Sequence, residues 1–103
     1  MEHKYIAIDL GAESGRLIVG SIKNSVLKLK EYHRFPTKGT YLFDSFRWNV
    51  FRFWEDIKAG LAKISNAEGS NFSGIAVDSW GVNFVYLTED LEGRYLHLLN
   101  YCG

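Results

Sequence analysis

One amphipathic segment near the middle of the chain restricts the folds that it can adopt. After Asn49, which can cap the amino terminus of a helix, apolar residues recur at spacings of three and four. These residues are Val50, Phe53, Trp54, Ile57, Leu61 and Ile64. The spacing predicts one α-helix that ends between Asn66 and Gly69. Because apolar stretches of strand length lie on both sides of it, we expect an α/β protein.

Short apolar stretches predict strands before and after this helix. Three precede it and are expected to form an antiparallel meander: Lys4–Asp9, Arg16–Lys23 and Val26–Tyr32. In the third strand, alternation at Leu27 and Leu29 predicts that one face meets water. Residues 35–48 show no sustained period, which predicts a long loop with a short strand near Phe46–Trp48. Three more strands are expected after the helix: Ser73–Asp78, Phe84–Leu87 and Tyr95–Leu99.

The order of these elements predicts a mixed sheet. A helix that follows a meander can return the chain to lie parallel beside the first strand, through the usual right-handed crossover. Ligands tend to bind beyond the carboxyl ends of the strands in open α/β sheets. Two polar loops follow apolar strands here, at residues 9–16 and 78–83. If the first strand and the strand at Ile75 are parallel neighbours, both loops emerge at the same edge.

The first loop has the composition of a phosphate-binding turn. Its residues are Gly11, Ala12, Glu13, Ser14, Gly15 and Arg16. Backbone amides of small residues can form a concave nest for an anion, and Arg16 would add charge-assisted hydrogen bonds. Asp9 would then be placed to hold magnesium through water. On the residues alone, a plain hairpin with Gly11 and Gly15 at unusual backbone angles explains the pattern at least as well.

The second loop combines groups that can recognise a sugar. They are Asp78, Trp80, Gly81 and Asn83. Carboxylate and amide groups bind hydroxyls, while an indole face covers the C–H side of a polyol. The alternative is structural, with Trp80 in the core and Asp78 capping the following backbone, and the residues alone favour it.

Composition excludes several classes of function. Lys plus Arg and Asp plus Glu each total 12, so the chain offers no broad basic field for nucleic acid or an anionic membrane. The single cysteine, Cys102, cannot form an internal disulfide, and the apolar run from Tyr5 to Leu10 is too short for a signal peptide or membrane span. We therefore expect a cytoplasmic protein that binds any anion locally.

Four segments occur in an informative order: Asp9–Arg16, His33–Phe35, Trp48–Asn49 and Ile75–Val85. Together they resemble the start of kinases of the FGGY carbohydrate kinase family, in particular its rhamnulokinases, over nearly the whole chain. The first segment alone is also similar to actin and heat-shock ATPases. The Asp-Ser-Trp-Gly-Val stretch that begins at Asp78 is the more specific part.

This resemblance implies a ribonuclease H-like fold and phosphoryl transfer from ATP, with magnesium, to a ketose such as L-rhamnulose. It implies that the loop from Gly11 to Arg16 lines the ATP phosphates and that Asp9 faces the metal. Gly81 and its neighbours would touch the sugar. Three positions depart from the family pattern: Glu13 replaces a small residue, Asn83 replaces an acid, and Cys102-Gly103 stands where an Arg-Asp pair continues the family.

From the resemblance we expect residues 1–103 to be the amino-terminal part of the first of two kinase domains. Members of the family are expected to need an aspartate as general base and an adenosine pocket, both far beyond this length. The chain alone is therefore expected to be inactive. Three alternatives remain: an L-fuculokinase-like fragment, a stand-alone module that binds nucleotide or sugar without turnover, and self-association through surface exposed by truncation.

Overall fold

The computed structural model describes residues 1–42, 45–81, 86–89 and 95–99. In that part of the chain the elements are, in order, β1 (His3–Leu10), β2 (Ser14–Lys23), β3 (Val26–Pro36), β4 (Gly39–Leu42), β5 (Ser45–Trp48), α1 (Val50–Glu68), β6 (Gly74–Ser79), β7 (Tyr86–Glu89) and β8 (Tyr95–Leu99).

Four strands form the mixed sheet that the element order predicts. Their spatial order is β3-β2-β1-β6, in which β1, β2 and β3 pair antiparallel and β6 lies parallel to β1. The turn between β2 and β3 places Asn24 and Ser25 at φ values of 52° and 64°. Positive φ at both central residues is typical of tight hairpin turns whose twist matches that of the strands. The α/β fold class is confirmed.

The region between β3 and α1 differs from the prediction of a long loop. β3 continues to Pro36, because Arg34 and Phe35 pair with Arg16 and Gly15 of β2. After it, β4 and β5 form an antiparallel hairpin. The prediction missed β4, since its four residues carry no clear alternation and are ordered by pairing with β5. The short strand expected near Phe46 is present.

A second hairpin, β7 with β8, follows the main sheet. β8 coincides with its predicted bounds, and β7 ends at Glu89, two residues beyond its predicted end at Leu87. The predicted start of that strand, Phe84 and Val85, falls outside the described residues.

The helix begins at the cap that its sequence predicts and ends within the predicted range. The Asn49 side chain accepts a hydrogen bond from the backbone N–H of Arg52, at 3.1 Å. At the other end, Gly69 has φ of 79° and donates its N–H to the carbonyl of Ser65 at 2.9 Å. That backbone conformation is accessible to glycine at low cost. Among the described residues, no helix combines the length and apolar composition needed to cross a membrane.

The core lies between α1 and one face of the sheet. Its buried residues come from three strands and the helix: Ile6, Ile8, Leu17, Val19, Phe35 and Ile64. Close approach of the helix depends on Gly60, because a Cβ there would lie 2.8 Å from Leu17 Cδ2. Burying side chains of this size stabilises a fold by about 1.5–3 kcal/mol each relative to exposure.

The helix leaves two parts of the sheet uncovered. Residues 26–31 of β3 are exposed on both faces, so the prediction that only one face meets water was wrong there. On β6, Ile75 and Val77 are 58% and 62% exposed. They pair with Ile6 and Ile8 of β1, so they lie on the same face as the core, where α1 leaves them exposed. That edge of the sheet therefore presents apolar side chains.

A polar cluster ties the carboxyl end of α1 to the sheet. Lys4 Nζ lies 3.4 Å from a carboxylate oxygen of Glu68 and 3.3 Å from its backbone carbonyl. The Tyr32 hydroxyl donates to the other carboxylate oxygen. This hydrogen bond, followed by that of Lys4 and the charges of Lys4 and Lys30, lowers the pKa of Glu68 although burial opposes it.

We predict that this cluster makes stability depend on pH in the acid range. Because the folded-state pKa of Glu68 is lowered, its contribution is complete above the unfolded-state pKa, about 4.3, and is lost as the pH falls through the folded-state value. Thermal unfolding between pH 7 and pH 3 should show Glu68→Gln with a lower Tm than the parent chain at neutral pH, and a smaller difference in acid.

Glu55→Gln is the matched control on the same helix. The Glu55 side chain is 67% exposed and forms an ion pair with Lys58 one turn away, an arrangement that contributes little to stability. Equal pH profiles for the two variants would contradict the prediction.

Candidate functional site

Parallel pairing of β1 and β6 brings the two polar loops to one edge of the sheet. Asp9 and Asp78 are register partners, and the next pair along the strands is Leu10 with Ser79. Neighbouring strands lie about 4.8 Å apart, and partner residues point to the same face. The two aspartates therefore stand side by side where the strands end, which confirms the predicted meeting of the loops.

The first loop is a tight hairpin whose glycines are needed for space rather than for backbone angle. The Gly11 N–H donates to the carbonyl of Ser14 at 3.0 Å. Neither Gly11 nor Gly15 has positive φ, so the expectation of unusual backbone angles was wrong. A Cβ at Gly15 would lie 2.5 Å from the ring of Phe35, and one at Gly11 would lie 2.7 Å from the Ser14 carbonyl oxygen.

Thr37 holds the first loop in place through two hydrogen bonds. It is fully buried, donates its N–H to the carbonyl of Glu13 at 3.2 Å, and donates its hydroxyl to the carbonyl of Gly11 at 2.5 Å. Both carbonyls thus face inward. Thr37 was not predicted as a site residue. The sequence around it does not indicate that it is buried or that it bonds to residues as distant in the chain as Gly11 and Glu13.

Arg16 joins the loop to the carboxyl end of β1. Its guanidinium donates to the Asp9 carboxylate at 3.1 Å and to the Ser14 hydroxyl at 2.9 Å. Arg16 and Asp9 are cross-strand partners, with side chains 27% and 40% exposed. The ion pair of Arg16 is thus with Asp9 rather than with Glu13, which is exposed. A cation, a hydroxyl and a carboxylate meet at one solvent-accessible point.

The second loop approaches the first through aromatic contact. Trp80 is half-buried and meets Trp48 edge to face, with ring centroids 4.7 Å apart. Asp78 and Gly81 are exposed, and a Cβ at Gly81 would meet nothing within 4 Å. Asn83, the fourth predicted sugar-contacting residue, lies outside the described residues.

A groove of about 620 Å³ lies between the first loop and the β4–β5 hairpin. Its lining residues are Ala12, Glu13, Ser14, Lys38, Gly39 and Trp48. The first three belong to the predicted phosphate loop. Lys38, Gly39 and Trp48 were not predicted as site residues, because the hairpin that presents them was taken for a loop.

The ligand groups around Asp9 suit a cation that keeps most of its bound water, and not one held by protein ligands alone. The described residues include no group of three or more His, Cys, Asp or Glu side chains that could hold a metal ion. Magnesium commonly binds through one or two carboxylates and keeps several waters or substrate phosphate oxygens. Asp9, with Asp78 beside it in register, matches that chemistry.

No protein-family model matches the chain. It is 37% identical over 90 residues to the rhamnulokinase of Bacteroides thetaiotaomicron. The aligned residues cover 87% of this chain and 18% of that protein. The rhamnulokinase of Halalkalibacterium halodurans is 40% identical over 84 residues, covering 82% of this chain and 18% of the relative. The predicted resemblance is confirmed, and the chain spans about 18% of the length of these relatives.

Two structures of the Ppx/GppA enzyme of Aquifex aeolicus share the fold. They have TM-scores of 0.54 and 0.55, cover 77% of this chain, and cover 27% and 26% of the solved chains. At 21% and 22% identity, the likeness establishes architecture alone. The expected ribonuclease H-like fold is confirmed.

We predict that the contact between Gly15 and Phe35 controls the stability of the first loop. In Gly15→Ala the new methyl group must displace a buried ring, so the free energy of unfolding should fall by about 1–3 kcal/mol. Urea denaturation followed by circular dichroism measures this change.

Gly81→Ala serves as the stability control, because the added methyl group meets open space in the other loop. Its free energy of unfolding should match that of the parent chain. Similar losses in the two variants would show that the Phe35 contact is not the cause.

Proposed function

We propose, from the premise that this chain is related to the rhamnulokinases, that it forms the phosphate-contacting and part of the sugar-contacting side of an ATP-dependent sugar kinase. The substrate would be a ketose such as L-rhamnulose, with L-fuculose as the alternative. The observation that carries the proposal is the register pairing of Asp9 with Asp78, which places both loops at one sheet edge.

The phosphate side would be formed by the loop from Gly11 to Arg16. The Arg16 guanidinium already donates to the Ser14 hydroxyl and to Asp9, so its donors lie at the mouth of the loop. A phosphate oxygen there could replace Asp9 as acceptor, and charge-assisted hydrogen bonds of this kind are among the strongest in proteins. The exposed carboxylate of Glu13 would have to point away from the anion.

Asp9 is the residue that we assign to magnesium, through water. The bound ion would neutralise charge on the transferred phosphoryl group. Release of Asp9 from Arg16 would leave its carboxylate available, and Asp78 beside it would add to the negative potential. In the structure Asp9 forms the ion pair with the Arg16 cation of the loop.

The sugar side would be formed by Asp78, Trp80, Gly81 and Asn83. The exposed carboxylate of Asp78 can accept hydrogen bonds from hydroxyls, and open space at Gly81 allows close approach to the backbone. This supports a small polyhydroxylated substrate at the same edge as the phosphate loop.

Phosphoryl transfer needs charge stabilisation and positioning from both sides of the transferred group. We propose that residues 1–103 are the amino-terminal part of the first kinase domain, and that the general base and adenosine pocket come from elsewhere in the kinase. The chain alone would then bind ligands weakly and turn nothing over. The cytoplasmic location expected from the sequence belongs to the same proposal.

Calorimetric titration with Mg-ATP, together with a coupled ADP-release assay containing L-rhamnulose, tests this function. We expect weak binding of Mg-ATP and no turnover. In Arg16→Gln the affinity should fall about tenfold or more, because one charge-assisted hydrogen bond is worth about 1.5–3 kcal/mol.

Arg52→Gln is the matched control, since Arg52 is an exposed arginine on α1 that pairs with Asp56. It should bind Mg-ATP like the parent chain. Turnover by the chain alone would refute the assignment as one side of a site, and equal affinity of both arginine variants would refute the phosphate role of Arg16.

A second proposal, self-association, is favoured by the β6 edge. Among the described residues, β6 is an edge strand that pairs with β1, and it carries exposed Ile75 and Val77. The opposite edge strand, β3, carries Lys28 and Lys30, charges that discourage pairing with another strand. An exposed apolar edge strand is a template for a second chain.

We predict a molar mass that rises with concentration in analytical ultracentrifugation. Val77→Lys should suppress the rise, because it places a charge on the open edge. Leu29→Lys, a similarly exposed apolar site on β3, should not. A monomer at every concentration, or an equal effect of both variants, would argue against this surface.

A further inference from the structure

Trp48 occupies a position that packing alone does not explain. Its ring centroid lies 4.7 Å from that of Trp80 and 6.5 Å from that of Phe53. Phe53 is only 5% exposed. The indole is therefore held from two sides by the second loop and by α1. Yet Trp48 is only half-buried and lines the groove beside Ala12, Glu13 and Ser14. It presents a fixed aromatic surface to an open space.

The polar groups of this groove suit a neutral polyol better than a polyphosphate. Glu13 supplies a carboxylate, Ser14 a hydroxyl and Lys38 an ammonium group. The two charges cancel, whereas Arg16, the cation suited to phosphate, is not among the lining residues. Hydroxyl groups can use acceptors and donors of this kind together, and an aromatic face covers their C–H side.

We propose that Trp48 is the stacking platform for the sugar, and that Glu13 and Lys38 bind its hydroxyls. This inference rests on the proposed kinase function and extends the sugar site from the second loop to the β4–β5 hairpin. It also gives Glu13, which is out of place beside a phosphate, a role as hydrogen-bond acceptor. The ribose of ATP also offers hydroxyls and a C–H side. Because Trp48 contacts Trp80 of the second loop, we assign the groove to the sugar substrate instead.

Indole N–H signals in proton–nitrogen NMR spectra of the full chain test the inference directly. The chain has three tryptophans, and loss of one signal in Trp48→Phe assigns that residue. Titration with L-rhamnulose should shift the Trp48 signal and leave that of Trp54, which is exposed on α1, unchanged. A shift with Mg-ATP but not with L-rhamnulose, or no shift with either, overturns the assignment to sugar.

Variants in the groove give an independent measurement. Lys38→Gln and Glu13→Gln change exposed residues, so both should fold even if a Trp48→Leu variant does not. Each of the three should weaken L-rhamnulose binding about tenfold, while Lys38→Gln and Trp48→Leu should leave Mg-ATP affinity within about twofold of the parent. Lys58→Gln on the exposed face of α1 is the matched control and should change neither. Unchanged sugar affinity in Lys38→Gln and Glu13→Gln overturns the proposal.

Different results would refute the kinase proposal and the proposed sugar platform at Trp48. If Mg-ATP perturbs the amides of the first loop but L-rhamnulose leaves Trp48 unshifted, the kinase proposal stands and this inference is wrong. If L-rhamnulose shifts Trp48 but Mg-ATP binds nowhere in the loop from Gly11 to Arg16, the groove binds sugar and the phosphate assignment is wrong.

Discussion

Parallel pairing of β1 with β6 fixes the relation between two loops that are far apart in the chain. It requires α1 to carry the chain back across the sheet, and the helix is held there by Ile64 in the core and by Lys4 at its carboxyl end. Once the register is set, Asp9 and Asp78 must lie side by side. The candidate site is thus a consequence of strand pairing, since neither loop contains it alone.

Two pairs of opposite charges lie at this edge of the sheet, and each belongs to a different candidate binding surface. Arg16 faces Asp9 across β1 and β2, and that pair can open toward an anion and a hydrated cation. Glu13 and Lys38 line the groove on the side of the β4–β5 hairpin, where their charges balance. The first pair suits phosphate chemistry and the second suits hydroxyls. The first loop contributes to both, since Arg16 pairs with Asp9 and Glu13 lines the groove.

The small size of the core explains the exposed apolar surface. One helix covers parts of β1, β2 and β3, while Ile75 and Val77 on β6 remain open beside an apolar cavity of about 310 Å³. A domain of about this length buries a smaller share of its surface than a larger one. The relatives are far longer than this chain, which spans about 18% of them. The exposed apolar side of β6 is the surface to which we assign the proposed self-association.

Local pattern determined the larger part of the fold and the position of both loops. Apolar spacing and the Asn49 cap were enough for α1, and short apolar runs between turns were enough for the strands of the main sheet, because these signals depend on near neighbours. The motifs at residues 9–16 and 78–83 pointed to the family and to the chemistry of the edge. Only the tertiary structure decided that Thr37 supports the first loop, that Gly15 is required by Phe35, and that Trp48 lines the groove. These roles depend on which strands pair and in which register, and such contacts between distant residues leave no periodic trace in the sequence.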